Sequence, residues 1–125
     1  MEVSIVIPIF NSELIIPELC LQIRDAMKKY KFEVILVNDS SHDNSWDEIK
    51  KACNKLNTFH GICLANNFGQ DNAIMAGLQS SKGDYVVIMD DDLQHSPYDI
   101  PILLDKILND WDVCYANFSA NKHQS

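Results

Sequence analysis

The sequence predicts an α/β domain with a Rossmann-like, largely parallel sheet of about five strands and helices on both faces. Three observations carry this expectation. Short β-rich runs alternate with helical patterns along the chain, the first, second and fourth runs are almost wholly apolar, and no repeat or linker interrupts the order. Strands covered on both faces read as continuous apolar runs, and strand–helix alternation in one sheet calls for right-handed crossovers.

The first run, 3–9 (VSIVIPI), leads into a helical face of Ile16, Leu19, Cys20, Ile23, Met27 and Tyr30, with Pro17 suited to a first turn. The second, 33–38 (EVILVN), precedes 44–56, where Trp46, Ile49, Cys53 and Leu56 share a face. The third, 61–65 (GICLA), is followed by 70–81. There Ala73, Ile74 and Leu78 give a weaker face, Gly77 lowers helix propensity and Lys82-Gly83 marks the end. The fourth, 85–89 (YVVIM), precedes a helix carrying Ile100, Leu103, Leu104 and Ile107, with Ser96 as its N-cap ahead of Pro97. A fifth, 112–116 (DVCYA), completes the sheet. Residues 1–118 are expected to form one domain and 119–125 (SANKHQS) a loose tail.

Apolar residues make up 46% of the 125 residues and charged residues 22%, an ordinary globular composition. No apolar run approaches the roughly 18 residues of a membrane span, and no cleavable leader opens the chain, so a cytoplasmic protein is expected. Cys20, Cys53, Cys63 and Cys114 lack metal or C-x-x-C spacing and read as reduced thiols used as small core residues. A net charge of −8 argues against nucleic acid and anionic lipid as bulk electrostatic partners. An anionic ligand would need a countercharge, and a divalent cation is the economical one.

Ligands of open α/β sheets bind beyond the carboxyl ends of the strands. The polar residues gather there: Pro8, Phe10, Asn11 and Ser12 after the first run, Asn38, Asp39, Ser40 and Ser41 after the second, Asn66, Asn67 and Gly69 after the third, and Asp90, Asp91, Asp92 and Gln94 after the fourth. Three adjacent carboxylates repel one another, and hard oxygen ligands suit Mg²⁺ or Mn²⁺. If strand alternation continues, Asp90 and Asp92 converge as the metal pair and Asp91 turns the other way. The bland alternative is a solvated loop assisted by a helix dipole. Asp39 can accept from a nucleobase N–H or a ribose hydroxyl; the competing roles are an Asx turn or a helix cap, for which Asp43 and Ser45 are also placed. Phe10 can lie against a base, though a lone aromatic after a strand more often packs locally. His42, His60, His95 and His123 share no ligand spacing, and no G-x-S-x-G, P-loop or G-x-G-x-x-G occurs.

The segments VSIVIPIFNSE, EVILVNDSSHDNSW, LANNFGQDNAIMAGLQSSKGDYVVIMDDDLQHSP and DVCYA, in this order, resemble family 2 glycosyltransferases of the GT-A fold. The similarity is greatest to the dolichyl- and polyprenyl-phosphate sugar transferase branch, with its D-x-D-L-Q-H-P signature. The resemblance implies a nucleotide-sugar site of Pro8, Phe10, Ser12, Val37, Asp39, Asp90, Asp91 and Gln94, with metal on Asp90 and Asp92. Phe10 and Ser12 stand where the family more often has tyrosine and glutamate, Asn38 replaces an aspartate, and Asn66 stands where arginine is frequent. The implied reaction is a metal-dependent, inverting transfer from a UDP- or GDP-sugar to a polyprenyl phosphate or a cell-surface glycan.

No residue matches the family base, which is expected beyond Ser125, so the chain is read as a donor-binding part that binds without turnover. A membrane contact would come through a following part, at the inner face, and exposed apolar surface would favour a homo-oligomer. Three other readings compete. One is a binding domain without chemistry. A nucleotidyltransferase would need a glycine-rich basic loop where IFNSE stands, and a receiver module would need acids after the first run and lysine after the fifth.

Overall fold

The computed structural model describes residues 2–109. Strands β1 (Glu2–Ile9), β2 (Lys31–Asn38), β3 (Phe59–Cys63) and β4 (Tyr85–Ile88) alternate with helices α1 (Ile16–Ala26), α2 (Ser45–Lys55), α3 (Gln70–Ser80) and α4 (Asp99–Asn109). The strands pair in parallel in the order β3-β2-β1-β4. The described sheet thus has four strands where about five were expected. The run 112–116, the tail 119–125 and Cys114 lie outside the described residues.

The apolar runs explain this layering. Every residue of β1 from Val3 to Ile9 is buried, as a central strand covered on both faces requires. Its odd-numbered side chains, Val3, Ile5, Ile7 and Ile9, pack with Ile16, Leu19 and Ile23 of α1, Ile49 of α2, and Ile100 and Leu104 of α4. Val6 faces the other way, with Ile35, Val37 and Ala73 under α3. Tyr30 and Tyr98 hydroxyls donate to Asp105 and Asp25 (3.0 and 2.9 Å), tying α4 to α1 and the turn after it.

Gly77 has a role opposite to its helix propensity. A Cβ there would lie 2.4 Å from Val6 Cγ1, so its absence lets α3 settle onto the sheet. At the amino edge, buried Glu33 accepts from the Ser4 hydroxyl and the Lys82 N–H (2.6 Å each), and Ser4 Oγ accepts from Gly83 N–H (2.8 Å). This network closes the edge opposite the acidic loops.

Four local expectations shift. β3 begins at Phe59, not at residue 61, because its register with β2 starts at Val34↔Phe59. It is an edge strand, and Cys63 at its end is exposed and not a core residue. β4 ends at Ile88. Ser96 closes a turn, accepting from Tyr98 N–H on its hydroxyl (3.1 Å), and α4 begins at Asp99. Among the described residues no helix is long and apolar enough to cross a membrane.

Candidate functional site

The chain steps outward from β1 to β2 to β3, then returns to place β4 on the free side of β1. The order reverses between β1 and β4, and at the carboxyl edge there a cavity of about 270 Å³ opens. Its lining comes from Pro8 and Ile9 at the end of β1 and Phe10 just beyond it, Asp39 after β2, Asn67 and Gly69 before α3 and Gln70 at its first position, and Asp90 and Asp91 after β4.

Short polar residues hold the loops in place. Asn11 and Ser40 adopt left-handed backbone (φ 52° and 57°), which asparagine tolerates better than most residues. Asn11 N–H donates to Ser41 Oγ (3.0 Å), Ser12 N–H to Ser45 Oγ (2.8 Å), and Asn11 Oδ1 accepts from His42 N–H (2.8 Å). The first two loops are therefore one bonded unit. Phe10, 41% exposed at the rim, makes an edge contact with the His42 ring at 5.8 Å.

Asp39 is 4% exposed, and neither caps α2 nor closes an Asx turn. Its Oδ1 accepts from Phe68 N–H (2.8 Å) and its Oδ2 from Gly69 N–H (3.0 Å), so it anchors the turn before α3 while lining the cavity. The Asx bond at α2 belongs to Asp43, whose Oδ1 accepts from Ser45 N–H (2.9 Å).

The acidic triplet departs from alternation because β4 stops at Ile88 and residues 91 and 92 form a bend. Asp90 and Asp91 line the cavity. Asp92 turns back on its own loop, accepting from Gln94 N–H (3.0 Å), and Leu93 is left-handed (φ 59°). Asp91, expected to point away, instead accepts from the Ser12 hydroxyl and from Phe10 N–H (3.4 Å). Burial holds its carboxyl above the usual range against those two donors, and the neighbouring Asp92 adds to the rise.

Val37 does not line the cavity: it is fully buried, and its side chain packs with Val6, Ile35 and Ala73 beneath α3. Ser12 acts on Asp91 and does not line the cavity; Gln94 is exposed and also outside the lining. Asn67, one of the polar residues gathered at this edge by the sequence, and Gln70, which was not among them, both line the cavity. The signal for Gln70 is that it follows Gly69, whose φ of 93° marks a tight turn aimed at the strand ends.

Among the described residues no group of three or more His, Cys, Asp or Glu is gathered as a metal cage. Mg²⁺ needs less: one or two carboxylates suffice when substrate phosphates and water complete its shell. Asp90 and Asp91, side by side on the cavity wall, fit that requirement.

An open parallel sheet with an acid-lined crevice at its switch point is the plan of the α/β small-ligand domains, here in its GT-A form. TarS 1-349 of S. aureus in complex with UDP-GlcNAc superposes with a TM-score of 0.63 at 34% identity, over 74% of this chain and 27% of that one. The mannosyltransferase PcManGT of Pyrobaculum calidifontis, solved with GDP-Man and Mn²⁺, has a TM-score of 0.64 at 23% identity, covers 72% of this chain and 27% of its own, and shows the fold alone. The model described as Glycosyl transferase family 2 matches residues 4–124, and the chain belongs to that family.

Among curated relatives, the undecaprenyl-phosphate 4-deoxy-4-formamido-L-arabinose transferase of Aeromonas hydrophila is 40% identical over 114 residues, which is 89% of this chain and 35% of that protein. Its counterpart in Shewanella sediminis is 42% identical over 88% of this chain and 34% of its own. The chain thus spans about a third of the length of these relatives. Family membership removes the receiver and nucleotidyltransferase readings.

Proposed function

We propose that the cavity binds the nucleoside diphosphate of a UDP- or GDP-sugar, and that the protein transfers the sugar, with inversion, to a polyprenyl phosphate. The observation that carries this reading is the joint lining by Asp39, Asp90, Asp91 and the Pro8–Phe10 end of β1 at the switch point. Asp39 and the exposed Phe10 hold the nucleoside, and this binding orients the anomeric carbon for attack. Asp90 and Asp91 face the diphosphate. A divalent cation held there would neutralise the charge on the departing nucleoside diphosphate. Asp92, expected as the second metal ligand, accepts from Gln94 N–H on its Oδ1, and its second oxygen would be the one to join the cation.

The curated relatives' names favour undecaprenyl phosphate over a surface glycan as acceptor. The UDP-GlcNAc complex of the 34% identical relative favours a UDP-sugar. On this reading the transfer takes place at a membrane surface, where a polyprenyl phosphate resides, and a nucleotide-sugar donor puts it on the cytoplasmic face.

Calorimetric titration of UDP and GDP, with and without Mn²⁺, tests the reading. Binding of one nucleotide that requires metal and falls at least tenfold in Asp90→Ala supports it. Failure of a folded sample to bind either nucleotide, or affinity indifferent to metal, rejects it.

A further inference from the structure

Gln70 is the first residue of α3, and its carboxamide Nε2 reaches across the cavity to Asp90 Oδ1 at 3.4 Å. The turn that delivers it is pinned on several sides. Asp39 takes the Phe68 and Gly69 N–H groups on its two oxygens (2.8 and 3.0 Å), Asn67 Oδ1 also accepts from Gly69 N–H (3.1 Å), and Asn72 Nδ2 donates to Phe68 O (2.7 Å). Gly69 itself is at φ 93° with nothing within 4 Å of an added Cβ, so glycine is required there by the backbone and not by space. An elaborately fixed turn thus places one neutral amide donor against one cavity carboxylate.

We propose that Gln70 is a positioning residue for Asp90, orienting that carboxylate toward the cavity for a divalent cation and the diphosphate it accompanies. The inference rests on the donor-site reading above. A carboxamide NH₂ donates to a carboxylate oxygen and carries no charge that would compete for the cation or attract the diphosphate on its own. It fixes one Asp90 oxygen and so reduces the ordering that cation binding would otherwise impose. Asp39 supports the arrangement from β2 through the backbone of the Phe68–Gly69 turn.

The test is Gln70→Met, which keeps side-chain length and helix propensity but removes the donor. The second variant, Gln70→Asn, keeps the amide but is one methylene too short to reach. Apparent Mn²⁺ affinity is measured calorimetrically on the full chain at fixed UDP or GDP, whichever the wild type binds, alongside metal-free nucleoside binding and the thermal midpoint. Groups that orient metal ligands typically change metal affinity 10–100-fold; with a long 3.4 Å contact, about tenfold weaker Mn²⁺ binding is expected in both variants. Nucleoside binding and the midpoint should stay at wild-type values, which a merely structural role would not leave untouched. Wild-type Mn²⁺ affinity in both variants, or an equal loss of metal-free nucleoside binding, would overturn the proposal while leaving the donor site standing. A wild type with no metal-dependent nucleotide binding would overturn both.

Discussion

Single residues show where reading by type succeeds and where it fails. Gly77 counts against a helix by propensity, yet its missing side chain lets α3 approach Val6. Gly77→Ala should therefore destabilise the protein by about 1–3 kcal/mol, the usual cost of overpacking, although alanine is the better helix former. Denaturant titration decides between the two effects, and a stabilised variant would refute the packing account. Val37 could not be told from a pocket residue by sequence, because its neighbour Asp39 does line the cavity and only the fold shows which way each points. The cysteines separate by burial. Cys20 is buried and its thiol is pushed up to about 12 by that burial, with Cys53 adding, whereas Cys63 is exposed at a strand end. Maleimide at pH 8 should label Cys63 in the native protein and spare Cys20 until the chain unfolds. A folded-state pKa raised in this way contributes stability that is complete below about 9 and lost as pH climbs toward about 12. The loss is up to ~1.4 kcal/mol per pH unit. Cys20→Ala should show a shallower alkaline decline over that range.

At the scale of elements, the buried runs were legible and the edges were not. β1 and β2 are covered on both faces along their apolar runs, which place β1 to within one residue and the end of β2 at Asn38. The start of β2 lies two residues earlier than read, because Lys31 is exposed and Phe32 only half-buried. β3 slips by two residues because an edge strand of mixed exposure has no such pattern, its start being set by pairing with Val34. The acidic triplet was legible as a site but not in its geometry, since alternation fails once β4 ends at Ile88. Loop-to-helix bonds were read in part, and Asp43 shows what they add. Its carboxyl receives the Glu13 N–H (3.2 Å) and the Ser45 N–H (2.9 Å), joining the start of α2 to the first loop. Burial pushes its pKa up, but the Ser45 hydroxyl and the surrounding N–H groups outweigh that and hold it below the ordinary value. A depressed pKa contributes stability that is present above about 4 and disappears as pH falls through the lower folded value. Asp43→Asn should thus be less stable than wild type at neutral pH, with the gap closing in acid. Thermal midpoints measured from pH 7 down to pH 3 read this directly, and a constant gap would place the effect elsewhere.

For the molecule as a whole, the sheet separates two polar edges with different tasks. The amino edge is satisfied internally, with Glu33 bonded to Ser4 and to the Lys82 N–H, and Ser4 bonded in turn to Gly83. The carboxyl edge concentrates Asp39, Asp90 and Asp91 around an open cavity in a chain of net charge −8, so a countercharge arriving with the ligand has the larger effect there. Glu33→Ala would leave the buried Ser4 hydroxyl and Lys82 N–H without their acceptor, at a cost of about 2–3 kcal/mol. The midpoint should fall, but the edge that holds ligand is untouched. A nucleoside diphosphate and Mn²⁺ together, at a hundredfold excess over their dissociation constant, should add about 2.7 kcal/mol to wild type, a shift on the order of 10 °C for a chain of this size. Either component alone should add much less. Distant sites without shared partners contribute additively, so the same stabilisation in kcal/mol should appear in Glu33→Ala, starting from a lower midpoint. Isothermal denaturant titrations of both proteins, with and without the two ligands, test this separation. A ligand stabilisation that shrinks by more than about 0.5 kcal/mol in Glu33→Ala would mean that β1 and β2 couple the edges, and that the amino-edge network helps to set the geometry of the site.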